Sequence, residues 1–244
     1  MSPSPTVLCA DGVSPRQSRA LAHRSKMGVV SGPALAQGLD DTRGGRNLVL
    51  LISDLNESRL SQALRPPFRA CYEITGTETS LPDELFSTVE RGGVFISLTT
   101  QSAFKTDFCT HLIKGLNEFF EIPHDRLPPL ELAVHEALAN AILRGNLENK
   151  GFSRSDVESF ECHALALDKR IKNTAYNLRR VDVTASRAES RLRIAISNEG
   201  PGFDPLHISH SATAATRGMA LIRKLTSSME FSNRGRTLTM ILDL

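Results

Sequence analysis

The stretch Glu131-Leu-Ala-Val-His-Glu-Ala-Leu-Ala-Asn-Ala-Ile-Leu-Arg-Gly-Asn146 decides the reading of this chain. It is helical in pattern and apolar nearly all round, with a carboxylate and a carboxamide set into it. At about 100° per residue, Glu136 and Asn140 fall on one face, a turn apart. Val134, Leu138, Ala141 and Ile142 form the opposite stripe, which should pack on a core. Leu132, Ala139 and Leu143 flank Glu136, so its carboxylate sits among apolar neighbours. Burying both groups is costly unless each finds a partner, and a divalent metal with a phosphate ligand would supply one. Taken alone, the stretch is equally compatible with an ordinary amphipathic helix carrying a capping or salt-bridging Glu.

Three downstream segments separate these readings. They are Ser197-Asn-Glu-Gly-Pro-Gly-Phe-Asp-Pro205, Thr216-Arg-Gly-Met-Ala-Leu-Ile-Arg-Lys-Leu225 and Gly235-Arg-Thr-Leu-Thr-Met240. In this order and spacing the set resembles the ATP-binding domain shared by anti-sigma serine kinases, histidine kinases and gyrase-type ATPases. The likeness is strongest to the stand-alone anti-sigma-factor serine/threonine kinases. Their helix motif E-A-x-x-N-A-x-x-H-G-N stands here as Glu136 to Asn146, with Arg144 where histidine is usual. The resemblance covers residues 93 to 244.

That resemblance implies a set of roles. Asn140 would offer its side-chain oxygen to Mg²⁺, a hard cation that takes oxygen ligands. Glu136 would act as the catalytic base towards a group attacking the γ-phosphate of ATP. Gly200 and Gly202 would let the loop approach the adenine, and Thr237 would join its recognition. Arg217 and the amides of Gly218, Met219 and Ala220 would meet the phosphates at a helix N-terminus. Two positions depart from the family pattern. The usual aspartate that accepts from the adenine amino group is Asn198, which can still accept but has lost the charge. The first glycine of the lid motif is Thr216.

Composition sets the outer bounds. The chain has 244 residues, 40% of them hydrophobic, enough for one good domain and an appendage. A net charge of +2 with 23% charged residues gives no global basic field, which argues against a nucleic-acid or membrane-surface partner. No apolar run approaches the roughly 20 residues that a membrane span needs. The four cysteines (Cys9, Cys71, Cys109, Cys162) stand far apart without metal-site spacing, so they read as reduced structural thiols of a cytoplasmic protein.

Residues 1–45 are rich in Ser, Pro, Gly and Arg, with Asp11 the only acid before Asp40, and they read as a disordered tail. Residues 46–92 read as a small α/β module. Its strands are expected at Asn47–Asp54 and Phe68–Ile74, around a helix from Glu57 to Leu64. The opening strand is faintly like that of a receiver domain, with Asp54 the only acid in the expected place. Residues 93–244 read as an α+β two-layer sandwich, a mixed sheet with helices on one face. A strand at Gly93–Leu98 leads to one long helix from Ser102 to Phe120. Prolines 123, 128 and 129 punctuate the start of the motif helix. Strands follow at Val181–Ala185 and Leu192–Ile196, then a helix from Gly218 to Leu225 and a closing hairpin.

The function expected from these readings is an ATP-binding regulator that phosphorylates a protein partner in transcriptional signalling. Its partner would be a sigma factor, an anti-anti-sigma factor or a response regulator, with a homodimer also compatible. Two alternatives stay open. One is a module with a weakened nucleotide site that sequesters its partner. The other is a histidine-kinase-type ATPase domain served by a separate phosphoacceptor chain.

Overall fold

The computed structural model describes residues 6–25, 28–31, 47–149, 157–203 and 214–244. A single nine-stranded sheet runs through them. Its strands in chain order are β1 (Thr6–Asp11), β2 (Gly28–Ser31), β3 (Asn47–Ile52), β4 (Phe68–Glu73) and β5 (Val94–Thr99), then β6 (Arg180–Ala188), β7 (Arg191–Asn198), β8 (Ser228–Ser232) and β9 (Thr237–Asp243). The spatial order is β2-β1-β3-β4-β5-β6-β7-β9-β8. Every pair up to β4–β5 is parallel, and every pair from β5–β6 onward is antiparallel.

The described helices are α1 (Pro15–Ser25), α2 (Glu57–Ala63), α3 (Asp83–Glu90), α4 (Thr100–Lys105), α5 (Phe108–Phe120), α6 (Leu127–Ala139), α7 (Val157–Ile171), α8 (Thr174–Asn177) and α9 (Ala214–Leu225). A π-helical segment, Asn140–Asn146, continues α6. Two cores form, one on each side of the sheet. The larger joins Leu50, Ile96, Val183, Ile194 and Met240 to residues of α2, α5, α6 and α9. The smaller joins Val49, Leu51 and Phe95 to Leu21 of α1 and to Leu85 and Val89 of α3. The α+β sandwich therefore holds from β5 onward. The parallel half differs in carrying helices on both faces, as parallel sheets must when both faces are apolar.

Several sequence expectations need correction. The segment expected to be a disordered tail holds β1, α1 and β2 within residues 6–31. Leu8 is wholly buried between parallel neighbours, and Leu21 and Ala22 of α1 cover it. The rest of that tail, residues 32–45, lies outside the described residues. Residues 46–92 are likewise not a separate module. Strand β5 pairs with β4 on one side and β6 on the other, so the boundary drawn at 92/93 runs through continuous sheet.

The long helix expected from Ser102 to Phe120 is two helices. Thr106 ends the first and Asp107 caps the second, its side chain accepting from Thr110 N at 3.4 Å. The N–H of Asp107 is taken by Glu57 Oε1 at 2.7 Å. Helix α5 buries Phe108, Leu112, Ile113, Leu116 and Phe120, each contributing about 1.5–3 kcal/mol. That burial outweighs the roughly 1 kcal/mol cost of Gly115 in a helix interior. Glycine is required there because a Cβ would strike the Leu64 carbonyl.

Candidate active site

Helix α6 begins with prolines in its first turn, where the missing N–H costs nothing. Val134, Leu138, Ala141 and Ile142, the stripe that the sequence predicts, are buried, and Leu130, Ala133 and Ala137 are buried with them. Past Ala139 the helix widens, and Leu147 N bonds to Ile142 O at 2.9 Å, a five-residue step. Such π-turns concentrate at functional sites. Here the widening delivers Asn146 into the core.

Asn146 is fully buried and every polar atom of its side chain is used. Its Nδ2 donates to Thr100 Oγ1 at 2.7 Å and to Arg180 O at 2.9 Å. Its Oδ1 accepts from Glu199 N at 2.8 Å. The other end of Glu199 is fixed as well, since Oε2 accepts from Arg180 N at 2.8 Å. The loop after β7 is thus held by the Asn146 side chain at the end of the π-helical segment and by a backbone N–H at the start of β6.

Within that loop the carboxamide of Asn198 turns inward. Oδ1 accepts from Gly200 N at 3.0 Å, and Nδ2 donates to Arg236 O at 2.9 Å. A Cβ on Gly200 would strike the Gly145 carbonyl. Gly202 has φ of +78°, and a Cβ there would strike the Arg234 carbonyl. Both glycines are therefore demanded by the protein's own backbone, beyond any approach of a ligand.

Glu136 and Asn140 lie a turn apart, as the helix phase predicts, and are half-buried rather than buried. Among the described residues neither side chain makes a hydrogen bond or an ion pair. Helix α9 packs across α6 at this point. A Cβ on Gly218 would stand 2.6 Å from Glu136 Oε2 and 3.6 Å from Asn140 Nδ2. The geometry thus gathers Glu136, Asn140 and Gly218 at one place, with Asn198 and Gly200 gathered around Gly145. Burial pushes the Arg144 guanidinium below its ordinary pKa, and the Glu136 carboxylate works against that shift.

Other predicted residues fall differently. Helix α9 starts at Ala214, so the amides of Gly218, Met219 and Ala220 lie past the first turn, where intrahelical carbonyls take them. The expected helix N-terminus at Gly218 is corrected accordingly, and free amides must precede it. The side chains of Arg217 and Ala220 are exposed, and Met219 is half-buried. Thr237 alternates with the core residue Leu238 and faces the opposite side of the sheet from α6, with its Oγ1 2.9 Å from Ser197 Oγ. Asp204 and Pro205 lie outside the described residues.

Sequence reasoning missed the structural parts of Arg180, Thr100 and Glu199. Arg180 stacks on Tyr72 at 4.1 Å and donates to the carbonyls of Glu73 and Ser97. No local pattern announces such a residue, because its partners are remote in sequence. On the face of the sheet opposite α6, Ser97 Oγ donates to Asp182, whose carboxyl is pushed up chiefly by burial.

The donor set fits a hard cation bridged to phosphates. It comprises one carboxylate and one carboxamide oxygen, neither bonded to protein among the described residues, beside a helix that presents only the Gly218 backbone to them. A sheet backed by such a helix, with a glycine loop and a second helix closing on it, defines a nucleotide-handling domain of the ATPase class. Residues 109–242 match the family model of the histidine kinase-like ATPase domain, and the chain belongs to that family. No curated protein matches the chain. Among the described residues no helix is long and apolar enough to cross a membrane.

Proposed function

We propose that the protein binds ATP with Mg²⁺ and phosphorylates a serine or threonine of a regulatory protein, in the manner of the anti-sigma-factor kinases. The observation that carries this reading is the half-buried pair Glu136 and Asn140, both facing Gly218 and without a bonded partner among the described residues. Polar groups shielded from water are normally bonded, so a half-buried pair without a protein partner among the described residues is available to a ligand. Asn140 would ligate Mg²⁺, which neutralises phosphate charge when bound. Glu136 would take the proton of the partner's hydroxyl as its oxygen attacks the γ-phosphorus. The bond from that phosphorus to the bridging oxygen breaks, and ADP leaves with the electron pair.

A sigma factor, an anti-anti-sigma factor or a response regulator fits as the partner. One observation favours the sequestering alternative. Asn198 spends both ends of its carboxamide on the protein, one on its own loop and one on the turn before β9, which leaves less for a base to bind. Labelled ATP incubated with the protein and each class of partner separates the readings. Acid-stable label on the partner supports the kinase, and acid-labile label on a second chain supports histidine phosphotransfer. A stable complex without label overturns both in favour of sequestration.

A further inference from the structure

A cavity of about 510 Å³ opens at the carboxyl ends of β1, β3, β4 and β5, in the parallel half of the sheet. Its walls include Gly12, Ser53, Asp54, Glu73, Thr75 and Lys105. None of the residues placed in the nucleotide site lines it. The strand order β2-β1-β3 reverses direction between β1 and β3, with α1 on one face and α2 on the other. Open α/β sheets bind ligands in the crevice outside the carboxyl ends at such a reversal. The volume suits a small molecule.

The charges on its walls narrow the ligand. Glu73 is 8% exposed and fully bonded, accepting from Thr99 N at 2.6 Å and Ser102 Oγ at 2.5 Å. Asp54 follows β3 in the left-handed region (φ +52°), and no cation lies within 4 Å of its carboxylate among the described residues. The neighbouring Arg59 is committed elsewhere, to Asp11 at 2.7 Å and to the Asp54 carbonyl at 3.0 Å. Lys105, across the cavity, likewise has no carboxylate within 4 Å among the described residues. The Nε2 of Gln17, another wall residue, is buried without an acceptor.

Two carboxylates against one ammonium oppose a phosphate dianion. Separate, unpaired charges of both signs suit a ligand that itself carries both. We infer that this cavity is a second ligand site, taking a small zwitterion of the free amino acid type. The ligand's ammonium group donates to Asp54, and its carboxylate accepts from Lys105.

The cavity floor is wired to the nucleotide loop. Thr99 and Ser102, which hold Glu73, flank Thr100, whose hydroxyl accepts from Asn146, the residue that holds Glu199 N. A second connection runs from the Glu73 carbonyl through the guanidinium of Arg180 to that residue's N–H, which Glu199 Oε2 accepts. Occupancy of the cavity therefore changes nucleotide affinity, a coupling that rests on the nucleotide-binding reading above. Contiguous buried networks of this kind can carry such coupling.

Titration calorimetry of the full chain against the proteinogenic amino acids, with inorganic phosphate as the competing probe, tests the site. One or a few amino acids should bind, and Asp54→Asn and Lys105→Ala should each weaken them by about ten- to hundredfold. Lys114→Ala, away from the cavity, should leave binding unchanged. The assignment is overturned if no amino acid binds, if phosphate binds in their place, or if both cavity variants bind as the wild type does. Mg-ATP affinity measured with and without the bound amino acid tests the coupling, which must be reciprocal. Unchanged ATP affinity overturns the coupling alone. A wild type that binds the amino acid but no nucleotide overturns the nucleotide reading and leaves the second site standing.

Discussion

Asn146 at the end of the π-turn holds Glu199 of the glycine loop, its Oδ1 accepting from Glu199 N at 2.8 Å. This is the bond by which the helix bearing Glu136 and Asn140 fixes the position of the loop bearing Asn198 and Gly200. Replacing Asn146 with Ala leaves Glu199 N and Arg180 O unpaired at a partly buried junction. The loss should be about 2–4 kcal/mol, read as a lower urea midpoint at constant slope. Asn146→Asp should be equally harmful, because a second acceptor would then face Thr100 Oγ1 and Arg180 O.

Asn140→Ala should leave folding intact, since the side chain is half-exposed and bonds to none of the described residues. Mg-ATP affinity should fall by about tenfold or more, while binding without metal stays as in the wild type. Calorimetry with and without Mg²⁺ makes the comparison. Equal Mg-ATP affinity in the variant would remove Asn140 as the metal ligand.

Glu136→Gln keeps the shape and hydrogen-bonding capacity of the side chain but accepts no proton at neutral pH. Turnover should fall by roughly 10²–10⁴-fold with ATP still bound. A variant as fast as the wild type would make Glu136 a spectator.

Asn198→Asp tests whether charge at that position helps or harms. From sequence alone it should tighten ATP by restoring a charged acceptor. The structure predicts otherwise, because a carboxylate oxygen would sit where Nδ2 now donates to Arg236 O at 2.9 Å. Stability should fall by about 1–3 kcal/mol and ATP affinity should not rise. Tighter ATP binding at undiminished stability would show that the Arg236 carbonyl imposes no such constraint.

Asp182 offers a test by pH. Burial raises its carboxyl above the ordinary range, so the folded state holds the protonated form more firmly than the unfolded chain does. The charged form therefore destabilises above the folded pKa, and stability is regained as pH falls through it. Asp182→Asn should be more stable than the wild type at neutral pH, and the difference should vanish in acid. Parallel denaturation curves at both ends of that range check the sign.

Much of this architecture is legible from residue pattern. The strands at 47–52, 68–73 and 94–99 and the stripe on α6 follow from apolar spacing, and the pair Glu136 and Asn140 follows from helix phase. What escapes is non-local or averaged away. Strand β1 contributes a few apolar residues inside a Ser- and Arg-rich region, and it is stable only because β2 and β3 flank it. The break at Asp107 depends on Glu57, fifty residues away. The start of α9 at Ala214 lies in a stretch of small residues where Ser211, Thr213 and Thr216 offer competing cap positions. Thr237 is read correctly as a strand residue, but its face is set by the register with Ser197, which sequence does not state.

The shared strand β5 has a consequence for dissection and inheritance. All six of its residues are buried, and it bonds in one direction sense to β4 and in the other to β6. A fragment beginning at residue 93 would present this apolar strand as a raw edge, the kind of surface that recruits other chains into aggregates. The parallel half therefore serves as the lateral seal of the ATPase half. The two have to be expressed, swapped between proteins and mutated as one cooperative body.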